Sequence, residues 1–208
     1  MLTRRFFLNG FASVVLAAGL TAPVHAEVSA DSAVAFIKDL SENAVVLLTG
    51  KQMDEKERER RFRDLFQSSF DVGTTAKLVL GRNWQRATDA ERTEFLKLFE
   101  DFVTNAYLDR FREFSGEKLE VADAKPLETS DMIMVNSQIL RPSGAPIRVG
   151  WVLQQKNSNY RIIDILAEGT SLAKTHREEF QAVINNSGGK IEGLLVALRK
   201  KNQKLTNK

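Results

Sequence analysis

The chain has 208 residues, no cysteine and only two histidines, which removes thiolate nucleophiles, disulfides and sulfur-based metal sites at the outset. Thirty basic side chains stand against 27 acidic ones, a net charge of +3. Two of the basic residues and none of the acidic ones fall within the first 26 positions, so the remainder carries only +1 and has no electrostatic claim on nucleic acid.

In chain order, Thr3-Arg4-Arg5-Phe6-Phe7-Leu8 sets paired arginines ahead of a modest apolar run over 11–20, and Val24-His25-Ala26 follows as a small-x-small cleavage site. That is the order of an export signal, with Glu27 as the new N-terminus, and the apolar part is too short to span a bilayer. The arginine pair fits the twin-arginine route, with the general secretory route as the alternative. Residues 27–208 then read as one exported domain.

Ser29 caps a helix over 31–48, ended by Gly50. The charged stretch 54–61 is the wet face of a second helix carrying Phe62, Leu65, Phe66 and Phe70. A short helix over 74–80 stops at Gly81. Thr88-Asp89-Ala90-Glu91 is a capping box, and Phe95, Leu98, Phe99, Phe102, Val103 and Ala106 stripe the helix behind it, continued by Tyr107 and Phe111.

Strands follow over 118–125, 131–140, 147–155 and 160–167, separated by short turns. Ile147, Val149, Trp151 and Leu153 share one face of the third. Ser171 caps a helix to about 185, Gly188-Gly189 breaks it, and Ile191, Leu194, Leu195 and Leu198 stripe a last one. Arg199, Lys200, Lys201, Lys204 and Lys208 form a basic end that suits the helix dipole or, more weakly, an anionic lipid surface. The fold class is α+β: a curved antiparallel sheet of about four strands packed against several helices, with helices at both ends of the chain.

Enzymatic machinery is hard to find. There is no Gly-x-Ser-x-Gly, phosphate-binding glycine loop or His-Glu-x-x-His. Asp164, Ser171 and His176 resemble a hydrolytic triad only in composition, because a five-residue spacing on one helix turns Ser171 away from His176. Asp164 and Glu168 flank a strand end and form at most a cation pair; a polar strand terminus is the simpler reading.

The strand-to-helix junction carries the most specific pattern: Asp164, Glu168-Gly169, Ser171, Arg177 and Phe180. Gly81-Arg82-Asn83-Trp84 with Ala87, Glu91-Arg92, Phe95, Phe99, Tyr107 and Phe111 is a second, and Gly188-Gly189 before a leucine-rich helix is a third. Together they resemble the MlaC family of periplasmic phospholipid shuttles, also called toluene-tolerance proteins. His176 stands where that family usually has an aromatic residue.

The resemblance implies a non-catalytic lipid carrier without metal or cofactor, monomeric, periplasmic, and handing phospholipid between an outer-membrane lipoprotein complex and an inner-membrane MCE-domain complex. Acyl chains would lie between helices and sheet. The candidates for that contact are Phe95, Phe99 and Phe102 from the helix, and Met132, Met134, Val149, Trp151, Leu153, Ile163 and Ile165 from the sheet. Arg82 and Arg177 are candidates for the headgroup or rim. A hopanoid or other isoprenoid cargo is the alternative within the family, and a small periplasmic hydrolase or a structural adaptor the alternatives outside it.

Overall fold

The computed structural model describes residues 29–49, 53–112, 115–128, 131–156 and 159–206. The export signal and its cleavage point, Gly50, and the tip of the turn at 157–158 lie outside them, as does the side chain of Phe111.

Helix α1 (Ala30–Thr49) opens at Ser29, whose carbonyl accepts the Ala33 N–H at 3.1 Å. Helix α2 (Glu55–Ser69) is capped by Asp54, which accepts the Glu57 N–H at 2.8 Å. Its charge run is a solvated face: Glu57 takes hydrogen bonds from Arg60 and Arg61, which hold its carboxyl down to about 2. Asp71 then caps α3 (Val72–Leu80).

Gly81 ends α3 at φ +53°, a backbone conformation that favours glycine, with the Arg177 guanidinium packed against it. The chain turns there through α4 (Arg82–Arg86), a single extra turn that the sequence pattern does not announce. Helix α5 (Asp89–Arg112) begins with the expected capping box: Glu91 accepts the Thr88 N–H at 2.8 Å and Thr88 Oγ1 accepts the Glu91 N–H at 3.2 Å.

Strands β1 (Lys118–Pro126), β2 (Met132–Leu140), β3 (Ile147–Lys156), β4 (Asn159–Ala167) and the two-residue β5 (Thr170–Ser171) form one antiparallel meander in sequence order. Four long strands match the expectation, and β5 is the addition. Between β4 and β5, Glu168 (φ +49°) and Gly169 (φ +80°) make the two-residue connection with both φ positive. Glu168 tolerates this because Arg148 donates to its carboxylate from the backbone N–H at 2.7 Å and from the guanidinium at 3.1 Å. Helices α6 (Leu172–Asn186) and α7 (Ile191–Thr206) complete the chain, separated by Gly188 and Gly189, both at positive φ.

Two cores result. Ile133, Val135, Leu153 and Ile162 line one sheet face and are fully buried beneath Ala33 and Ile37 of α1. The second core is helical: Phe95, Phe99, Phe180, Ile184, Leu194, Leu195 and Leu198 knit α5, α6 and α7 together, with Val79 and Leu80 of α3. Phe70, at the α2–α3 joint, packs against both.

Candidate functional site: an apolar cleft at the seam of the cores

The seam is made by a bulge. Val152 pairs with Asp164 and Leu153 with Ile162, so Ile163 is an extra residue in β4. Strict alternation would expose one of two neighbours; the bulge buries both Ile162 and Ile163. Their carbonyls anchor the helical side, Ile162 accepting the Asp71 N–H at 2.9 Å and Ile163 lying 2.9 Å from the Thr75 hydroxyl.

Beside this joint lies a narrow, mostly apolar cleft. Phe66, Phe70, Val72, Thr75 and Val79 form one wall from α2 and α3. Phe99, Val103 and Tyr107 come from α5, Ile163, Asp164 and Ile165 from β4, and Leu172, Ala173 and His176 from α6. Residues 95, 99, 103 and 107 form a single i, i+4 stripe: Phe95 at its start is sealed inside the helical core, and the other three face the cleft.

The polar atoms of these walls are occupied. Asp164 Oδ1 accepts the N–H groups of Ile165 at 2.8 Å and Ala173 at 3.0 Å, and Oδ2 accepts the Ser171 hydroxyl at 2.5 Å. Ser171 Oγ in turn accepts the Lys174 N–H at 2.9 Å as the α6 cap. The hydroxyl is therefore spent, and His176 pairs with Glu179 at 3.1 Å instead. Its ring packs edge-on to Phe102, centroids 5.4 Å apart, and stacks on Phe180 at 5.9 Å. The junction lacks the nucleophile–base contact of a triad. Nor do Asp164 and Glu168 make a cation pair, since each carboxylate is bound by protein donors; among the described residues no group of three or more His, Asp or Glu is arranged to hold a metal ion.

An open polar basin adjoins the cleft, sharing Phe70 and Val72 with it and edged by Gln67, Asp71, Glu100, Lys156, Asn159 and Arg161. Lys156 donates to Asp71 across the seam, tying the end of β3 to the start of α3. Burial pushes the Asp71 carboxyl up, but hydrogen bonds from Lys156 and from the Thr74 N–H and hydroxyl outweigh it and hold the group below its ordinary range.

Of the candidates read from sequence, the structure brings Phe99, Ile163 and Ile165 to the cleft. Phe95 and Phe102 stand behind its wall, against Phe180. Val149, Trp151 and Leu153 share the α1-facing side of the sheet; Trp151 is opposite Ile165 and donates to Ser137 Oγ at 2.9 Å. Met132 and Met134 are not brought together with them. They pair with Gln154 and Val152, and directly opposed residues share a face, so both methionines lie on the other side of the sheet. Arg177 packs on Gly81, the residue before Arg82, and neither arginine borders the cleft or the basin.

Sequence reasoning missed Phe66, Phe70, Val72, Thr75, Val79, Val103, Tyr107, Leu172, Ala173 and His176 as cleft-lining residues. The signal for Phe66 and Phe70 was present in the aromatic spacing of α2, and for Val103 and Tyr107 in the stripe of α5.

The fold and this seam define an α+β protein with a helical layer closing an apolar cleft against an antiparallel meander. A model of the MlaC protein family matches residues 38–200, and the chain belongs to that family. It is 22% identical over 113 residues to the intermembrane phospholipid transport system binding protein MlaC of Haemophilus influenzae, covering 53% of each chain, so it spans about half the length of that relative. In structure it is similar to a phospholipid-binding protein from Ralstonia solanacearum solved with a phospholipid: TM-score 0.72 at 18% identity, covering 83% of this chain and 97% of that one.

Proposed function

We propose that this chain is a periplasmic lipid carrier that shields phospholipid acyl chains in the seam cleft and passes the lipid between an outer-membrane lipoprotein complex and an inner-membrane MCE-domain complex. The supporting observation is the cleft itself: its walls are aromatic and aliphatic, and its only carboxylate, Asp164, is already hydrogen-bonded within the protein. Such a surface has nothing to offer a polar substrate and much to offer a hydrocarbon. No catalytic step is assigned to it. Among the described residues no helix is long and apolar enough to cross a membrane.

Magnitudes support the reading. Some 30 acyl methylenes at roughly 0.8 kcal/mol each carry about 25 kcal/mol of transfer energy, which the cavity must nearly match for extraction from a bilayer. If a methylene fills about as much space as a water, roughly 30 Å³, one chain needs about 450 Å³ and two about 900 Å³. The space of about 50 Å³ in the cleft is far smaller than either, so lodging an acyl chain requires the cores to part along the seam. Besides apolar side-chain contacts, the seam is tied by the anchors at Ile162 and Ile163, the Lys156–Asp71 pair and the Arg161 bond to the Gln67 carbonyl, fewer ties than either core would lose on breaking.

Native mass spectrometry and solvent extraction of the exported protein test this. The expected result is one phospholipid per chain; protein that never carries lipid contradicts the proposal, and a hopanoid in the extract replaces the cargo but keeps the carrier.

A further inference from the structure

The basin beside the cleft holds two cations and two anions, and only half of them are matched. Lys156 is engaged with Asp71 and lies near Thr74 Oγ1. Arg161 donates only to the Gln67 carbonyl, at 3.2 Å, and Glu100 accepts only from Gln67 Nε2, at 2.5 Å. Among the described residues neither has a partner of opposite charge. One residue, Gln67, thus carries a guanidinium at its backbone end and a carboxylate at its side-chain end. Both charges are partly buried at the rim of an apolar cleft.

We propose that this basin selects a zwitterionic phosphate–ammonium headgroup, with Arg161 holding the phosphate and Glu100 the ammonium, while the acyl chains enter past Phe70 and Val72. The inference rests on the carrier reading above and names its substrate class. A guanidinium is the natural partner of a phosphate, through paired N–H donors. A phosphoethanolamine carries its ammonium two carbons beyond the phosphate, so one headgroup presents an anion and a cation together, the complement of Arg161 and Glu100 on either end of Gln67. A phosphoglycerol headgroup gains the same Arg161 contact but brings a net negative charge toward Glu100 and offers it no cation. Discrimination then comes from a mismatch against the wrong lipid as well as a contact with the right one.

Delipidated protein incubated with vesicles of equal phosphatidylethanolamine and phosphatidylglycerol, then re-isolated and extracted for mass spectrometry, decides this. Wild-type protein is expected to carry the ethanolamine lipid over the glycerol lipid by roughly threefold to fivefold, the size one partly exposed charge contact supports. Glu100→Gln brings that ratio to about one by lowering uptake of the ethanolamine lipid, Glu100→Lys inverts it, and Arg161→Gln lowers the uptake of both lipids. Bound lipid that mirrors the vesicles in the wild type, or a preference that survives unchanged in Glu100→Lys, overturns the headgroup site and leaves the carrier intact. Protein that takes up neither lipid overturns the carrier function itself.

Discussion

The sheet core and the helical core use the same kinds of side chain under different geometric rules. In the sheet core, register places Ile133, Leu153 and Ile162 side by side across three strands, and α1 lays Ala33 and Ile37 over them until no surface remains. Neighbours there are set by backbone hydrogen bonds, and the result is dry. In the helical core, neighbours are set by where helices cross, and the aromatic cluster of Phe95, Phe99 and Phe180 closes at one end only. At its border with β4 a cleft remains. A gap survives at the seam because neither rule extends across it; Phe70, the two anchoring carbonyls and the polar ties of Lys156 and Arg161 do.

The sharpest contrast lies within one helix. Phe95 is fully enclosed, and Phe95→Ala is expected to cost about 3–5 kcal/mol by removing core contacts and leaving a cavity. In a domain of this size that lowers the melting temperature by on the order of 10 °C, measured by calorimetry. Asp164→Ala comes next, at about 3 kcal/mol, because two backbone N–H groups and the Ser171 hydroxyl lose a charged acceptor. Urea unfolding measures it, and an unchanged midpoint would make the β4–α6 junction less important than its hydrogen bonds indicate.

Val72→Trp tests the cleft at a side chain that is only partly buried where it packs on the helical core. The added ring fills space between Phe70 and Ile165, so bound lipid should fall about tenfold, equivalent to about 1.4 kcal/mol, while the urea midpoint barely moves. Equal losses of lipid and stability would instead make the cleft ordinary core.

The seam tie is smaller. Asp71 is held below its ordinary range, so its contribution is complete above about pH 4, the unfolded carboxylate value, and is lost as pH falls through the lower folded value. Asp71→Asn should cost about 1 kcal/mol near neutrality, with the two proteins converging at the acid end of a urea series. Last, Met134→Leu on the far face of the sheet should change lipid content and stability by less than about 0.5 kcal/mol.

Much of this was legible before any coordinates. The capping box at Thr88, the cap at Ser171 and the glycine stops at Gly81 and Gly188-Gly189 depend on nearest neighbours in sequence, and each appears where its spacing puts it. The four long strands followed from alternation. The site was legible only in part. A bulge at Ile163 carries no local signature, so the burial of both Ile162 and Ile163 follows only from pairing with β3. Met132 and Met134 read as sheet residues of the right softness, but which face they occupy depends on register, and one residue of shift decides it. Arg82 and Arg177 are conspicuous by charge, yet the packing of Arg177 on Gly81 reflects how α3 and α6 pack, which one-dimensional spacing does not encode.

The account stands on the acyl chain lying in the seam. A phospholipid with a diazirine in one acyl chain, bound to the protein, irradiated and mapped by peptide mass spectrometry, reads that position directly. Labels on α2–α3 around Phe70 and Val72, on α5 around Val103 and Tyr107, and on β4 at Ile163 and Ile165 are the predicted result. Labels concentrated on Met132 and Met134, across the sheet, would contradict it.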